Sequence, residues 1–581
     1  MKKSIVLLAL LLLINCGFTQ EIYISGTQQS VIEYTLEQTI QVPAGLHELM
    51  ISFVEPADFN SKTYQQEIQE LSFKFIPEPD KQDQTIDKNS NRVRLYYWDK
   101  PRNEIKFQAL LKTNNQVRLQ NLQSTASFPM RNLSSELSAY LGSTNLVQSD
   151  HPEIQNKARE LTINSQTEFE AVQQVLYFVV ENLRYVLIPE QFDALYSLHT
   201  GRGNCQNYSH LAAALLRAVG VPVRIVNGIT FKRAYSIPME QSEYSFEMAE
   251  GRHSWIEVYF SDLGWMPFDP QQTEFFVSNR YLRIEVGQDN DETIQDGLVK
   301  WVRSSEGSPD IPKLAESIGS NFLSDQVNFQ SEKRIPGIKK LLLAPPLQQL
   351  APVIADRGDE VEKKITPPIE KDKKEGSEKP VPTPDLDYTK LKYSHPLEIG
   401  NLDFPIQFDF LSAYLADSRE TSRISEIKRN FIVETAEYVT GRLQFCQLFI
   451  LEQPMALGSI GLALHQFGGD GLIWVDLSDD SDGAPAREAV SSKKISIRQI
   501  PPGKGYDWVD FDFSGQKLVL SPGKYWITLN YSGSPIVNWF YTYGKPIGPV
   551  EGTRSREFGQ SEWGKILSFE FNYRVVGLGS Q

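Results

Sequence analysis

The chain has 581 residues, 40% of them hydrophobic and 23% charged, enough apolar material for several folded domains. A net charge of −15, with no basic cluster interleaved with aromatics, argues against nucleic acid as a partner. The only cysteines are Cys16, Cys205 and Cys446, too few and too scattered for a disulfide framework, and no CxxC or HExxH spacing points to a metal.

Met1-Lys2-Lys3 followed by an apolar run from Ile5 to Ile14 reads as a secretory signal over 1–19, too short to span a bilayer. Leu13-Ile14-Asn15-Cys16 resembles a lipobox, which would make Cys16 a lipidated anchor; ordinary signal cleavage after Thr19 is the alternative. Either route predicts an exported protein, in the periplasm, on the cell surface or in the medium, that meets a membrane only through a lipid anchor. From 20 to 130 short runs such as Val31–Ile40, Leu46–Val54 and Glu104–Leu111 alternate apolar and polar residues between polar turns. That pattern predicts an N-terminal antiparallel β-sandwich. Between 131 and 287 the character changes, with amphipathic helices predicted near 151–161 and 167–183.

Gly201-Arg202-Gly203-Asn204-Cys205 then opens a third helix, on which Tyr208, Leu211, Ala212, Leu215 and Leu216 recur at helical spacing before Gly220 stops it. With Asn204 as N-cap, Cys205 falls in the first turn, where unpaired backbone N–H groups and the helix dipole favour a thiolate. Gly203 is expected to let the loop approach a substrate backbone. Further on, Arg252–Phe260 alternates, with His253, Trp255, Glu257 and Tyr259 on one face. If Ser261, Asp262 and Leu263 form a three-residue loop, Phe260 pairs with Gly264 and Asp269 falls opposite Trp255, on the His253 face. A two-residue loop would turn Asp269 away.

G-x-G-N-C opening a helix, A-L-L-R-A-x-G-V-P-x-R at its end, H-x-W-x-E-V and W-x-x-x-D-P resemble the transglutaminase-like, papain-related cysteine enzymes over about 165–273. The resemblance implies an α+β core in which Cys205 is the nucleophile, His253 the general base and acid, and Asp269 the residue that orients the imidazole. Such a triad attacks an amide carbonyl, passes through a thioester and needs no cofactor or metal. Cys205 N–H would be one oxyanion donor and Gln191, upstream, a tentative second. Trp255 and Trp265 flank the site as packing aromatics or cleft walls. Protein or peptide substrates are implied. Water as second reactant makes a peptidase and an amine makes a crosslinking transglutaminase; a catalytically silent adhesion or scaffold protein is the rival of another class.

The segment 288–393 reads as an extended, partly disordered linker, charged and Pro-rich between Asp356 and Asp385. From 394 to 581 alternating strands predict a second antiparallel sandwich of jelly-roll type. Trp539, Tyr541 and Tyr543 share one strand face there and could stack a cell-surface glycan, with core packing as the alternative.

Overall fold

The structure is a computed structural model. It describes residues 20–336 (with breaks at 102, 120–123, 131–132, 187–188, 240–241, 272–275 and 304–311), 342–344, 392, 397–402, 424–427 and 436–579 (with breaks at 503–505 and 543–551). Residues 1–19 with Cys16, read above as a signal, the charged stretch 356–385 and Tyr543 lie outside the described residues. The chain is multidomain and mostly β, with several antiparallel sheets around a small helical region near 135–270.

Burial alternates along Glu104–Leu119, the pattern of a strand with one face in a core. It lies antiparallel to Gln20–Gln41, from Gly26 opposite Leu119 to Gln41 opposite Glu104. The other edge of Gln20–Gln41 is covered by Lys313–Pro336, again antiparallel and along its whole length. A second sheet runs Ile424–Ile427, Leu298–Arg303, Leu46–Val54, Arg92–Asp99, Lys81–Ile86. Ile32, Leu36 and Ile40 of the first sheet meet Leu49, Ile51, Phe53 and Trp301 of the second in one core. Each such large side chain contributes about 1.5–3 kcal/mol on burial. The N-terminal sandwich is therefore discontinuous in sequence. Leu298–Arg303 and Lys313–Pro336, expected in the linker, are two of its strands.

The helical region has four helices that position the site: α1 (Pro152–Thr162), α2 (Glu168–Asn182), α3 (Ala194–Thr200) and α4 (Cys205–Ala218). They lie beside a four-stranded sheet made of β1 (Val223–Thr230), β2 (Gly251–Phe260), β3 (Gly264–Phe268) and β4 (Tyr281–Gly287), in the order β3-β2-β1-β4. Thr167 and Glu170 form a reciprocal capping box at the start of α2. Glu168, in that first turn, is buried, and burial followed by the nearby Asp262 charge pushes its carboxyl up to about 8, against a hydrogen bond from the Ser261 backbone. A carboxyl raised in this way binds its proton more tightly folded than unfolded, so stability falls as pH rises from 4.5 through about 8. Glu168→Gln should abolish that fall and stabilise the protein above this window by on the order of 3 kcal/mol, read from urea melts across pH.

Residues 436–577 form a second set of antiparallel strands around their own core. At its hairpin tip Asp482 and Gly483, with φ of 53° and 77°, link Ser481 to Ala484 as a two-residue turn. Trp539 and Tyr541 sit inside this core, at 0% and 1% exposure, stacked on Phe571 and Phe569 at 4.1 Å and 4.0 Å. Trp539 Nε1 donates to the Asn572 carbonyl. Their rings fill the interior and offer no face to a glycan, which corrects the platform reading. This domain joins the helical region directly: Ser242–Phe246 pairs in parallel with Lys565–Leu567, and Phe540 and Ile566 share a core with α4.

Candidate active site

Asn204 caps α4 as expected, its side chain accepting from the Gln206 N–H while Asn207 Oδ1 accepts the Asn204 N–H. Cys205 is thereby fixed at the first helical position. At the far end Gly220 adopts φ of 84°, and Val221 N–H returns to the Leu216 carbonyl, closing the helix. The β2–β3 hairpin has the three-residue loop, with Phe260 opposite Gly264 and Ile256 opposite Phe268. Asp269 follows on the His253 side.

His253 Nε2 lies 2.7 Å from Asp269 Oδ2. The Cys205 side chain is close enough to the same imidazole to act on its charge. Nε2 faces Asp269, so Nδ1 is the ring nitrogen on the side away from the carboxylate. All three residues are at 0% exposure. Burial alone would hold the imidazole neutral, but the Asp269 carboxylate, and after it Cys205, outweigh that effect and raise His253 from 6.5 to about 10. An imidazolium between a carboxylate and a thiol is what this enclosure favours. Among the described residues no group of three or more His, Cys, Asp or Glu side chains is placed to hold a metal.

Residues 155–270 match the family model of the transglutaminase-like superfamily. The chain carries a transglutaminase-like domain. Over 121 residues it is 30% identical to ML0607 of Mycobacterium leprae, and over 94 residues 32% identical to YebA of Bacillus subtilis, two proteins without assigned function. The matches span 21% and 16% of this chain but only 39% and 13% of those relatives. Among solved structures it is similar to a candidate cysteine protease from Cytophaga hutchinsonii, at 17% identity and a TM-score of 0.40 over 53% of this chain and 94% of that one. The periplasmic domain of TgpA from Pseudomonas aeruginosa matches at 15% identity and a TM-score of 0.21, over 41% of this chain and 89% of that one.

Within the transglutaminase-like domain the other expected site residues take different places. Gln191 is exposed, and its backbone rather than its amide meets the site, its carbonyl accepting from Asn207 Nδ2 at 3.0 Å. Gly203 is buried for a packing reason. A Cβ there would sit 2.2 Å from Asn207 Cβ, so the glycine admits the side chain that caps α4. Gly203→Ala should therefore unseat the helix start and cost about 2–3 kcal/mol in a denaturant melt. Trp255, at 1% exposure, lies under the imidazole, with its ring edge-on to Tyr281 at 5.2 Å. It is a packing residue and lines no open cleft. Trp265 packs with Tyr140 and Tyr259 and carries the Arg224 guanidinium over its face at 4.2 Å.

Several contacts that hold the site together were not legible in the sequence. Asp269 is held by two more donors, Gln271 N–H on Oδ1 at 2.9 Å and the Tyr281 hydroxyl on Oδ2 at 2.6 Å. His210, fully buried on α4, bridges the Phe192 carbonyl at 2.6 Å and the Asn290 N–H at 3.3 Å, which fastens the Gln191 loop to the helix. Burial lowers its pKa, which keeps it neutral and able to both donate and accept. Glu257 of the H-x-W-x-E motif is fully buried between Arg224 at 2.5 Å and Arg283 at 2.7 Å.

Proposed function

We propose that the transglutaminase-like domain is a cysteine hydrolase of amide bonds in proteins or peptides, carried by an exported chain. The observation that supports this most is the buried line from Asp269 through His253 to Cys205 at a helix N-terminus. In this reading the Cys205 thiolate forms a C–S bond to the amide carbon, and the carbonyl electrons move onto oxygen, where Cys205 N–H stabilises them. Collapse breaks the C–N bond as His253 gives its proton to the departing amine. Water then attacks the thioester, His253 takes its proton, and the C–S bond breaks to free a carboxylic acid and the thiolate.

A crosslinker shares the first half and differs only in admitting an amine to the thioester. The two are separated by incubating wild type and Cys205→Ala with a peptide pool and a fluorescent primary amine, then sequencing products by mass spectrometry. New carboxyl termini made only by wild type are the expected result. Amine-tagged glutamines would establish transfer instead, and identical products from both proteins would leave a scaffold.

A further inference from the structure

Tyr281 opens β4, twelve residues beyond Asp269, and its hydroxyl donates to the oxygen that His253 Nε2 also faces, at 2.6 Å and 2.7 Å. Two donors thus share Asp269 Oδ2, while Oδ1 is taken by Gln271 N–H. Both Asp269 and Tyr281 are shut off from water, at 0% and 1% exposure, so protein groups alone answer the carboxylate charge. The place of Tyr281 is set from outside the domain. Its carbonyl accepts the Tyr64 hydroxyl and Asn115 Nδ2, each at 2.7 Å, and both donors are buried residues of the N-terminal sandwich. The preceding Arg280 pairs with Asp325 through two nitrogens at 2.8 Å, and Asn279 Nδ2 donates to Ser30 Oγ at 2.7 Å.

A buried carboxylate answered by an imidazole alone would hold the imidazolium too firmly, yet the reaction needs that proton delivered to a leaving amine. A hydroxyl on the same oxygen spreads the carboxylate charge and weakens that hold. We propose that Tyr281 is a positioning residue for this chemistry, orienting Asp269 and tempering its pull on His253, and that the N-terminal sandwich holds it in register. The inference rests on the hydrolase reading above. The other titratable groups around the pair are Cys205 and Tyr208 from α4 and Tyr185 before α3, with the Glu257–Arg283 ion pair beyond Tyr64. Tyr185 and Tyr64 are held neutral chiefly by burial.

The test is a pair of titrations of the full chain that need no reagent to reach a buried site: thiolate ultraviolet absorbance, subtracting Cys205→Ser, for the acid midpoint, and the His253 ring signal of histidine-labelled protein in NMR, subtracting His253→Ala, for the alkaline midpoint. Tyr281→Phe keeps the ring and removes the shared hydrogen bond. Charge left on Asp269 then favours the imidazolium, so the pH range of the thiolate–imidazolium pair should widen at its alkaline end, the imidazolium midpoint rising by about half a pH unit or more. Asp269→Asn should move that midpoint the other way. Replacing Tyr281 by a fluorotyrosine, a stronger donor of nearly the same size, should narrow the range, and it decides the matter if Tyr281→Phe does not fold. An unchanged range in both variants, or a fall of that midpoint in Tyr281→Phe like that of Asp269→Asn, would make Tyr281 an ordinary structural hydroxyl. Those results leave the hydrolase reading standing. A wild-type thiolate that appears only at ordinary thiol pH and ignores His253→Ala overturns both.

Discussion

His253→Ala is expected to lower turnover of any peptide that wild type cleaves by about 10^3–10^4-fold, while the protein stays folded. The ring bonds Asp269 and has Cys205 as an electrostatic neighbour, so on the hydrolase reading its loss removes the proton carrier for both halves of the reaction. Asp269 keeps two donors, Gln271 N–H and the Tyr281 hydroxyl, and its burial remains tolerable. The pH dependence of stability gives a second readout. His253 is raised from 6.5 to about 10, so its contribution is full below 6.5 and is lost as pH rises through about 10. The alanine variant should lack that alkaline loss. A variant that retains more than about a tenth of wild-type turnover would remove His253 from the chemistry.

The largest effect on stability is expected at Glu257. Its carboxylate answers Arg224 and Arg283 in a fully buried position. Burial works against its charge, but the two guanidiniums outweigh that and hold it below the usual carboxylate range. Glu257→Gln leaves two arginines in the interior without their counter-charge, which costs about 3–5 kcal/mol by comparison with other broken buried pairs. Denaturant melts measure this directly, and a loss below about 1 kcal/mol would show that water reaches the arginines in the variant. Replacing Glu257, Arg224 and Arg283 together by apolar residues should be far less damaging than the single change.

What could be read in advance was local. The cap at Asn204, the helix stop at Gly220 and the hairpin register each depend on a few neighbouring residues, so spacing alone specified them. Tyr281 belongs to none of the motifs that mark the site. Nothing in its spacing links it to Asp269, because the two are twelve residues apart and meet only through the hydroxyl bond of the folded protein. Lys313–Pro336 was misread for a different reason. Leu314, Ile318 and Phe322 face inward, but Glu316 and Ser320 between them are polar. Glu316 is answered by Arg252 at 2.9 Å and Ser320 by Glu250 at 3.0 Å, partners far away in sequence. A strand whose inward positions are half polar carries no clear alternation, so it was read as part of the 288–393 linker. The two sandwich aromatics erred the opposite way: the shared face of Trp539 and Tyr541 was real, but it points into the core.

That same strand bears on how the protein is made. Gln20–Gln41 is synthesised early, yet one of its two long neighbours is Lys313–Pro336, which emerges only after the whole transglutaminase-like region. Until then the nascent chain carries an open apolar-lined edge, the kind of surface that recruits chaperones and drives aggregation. Ribosomal order and folding order therefore cannot coincide for the first domain. A polypeptide halted just past β4 would have every residue of the Cys205–His253–Asp269 line and still lack the strand that closes the frame behind Tyr281.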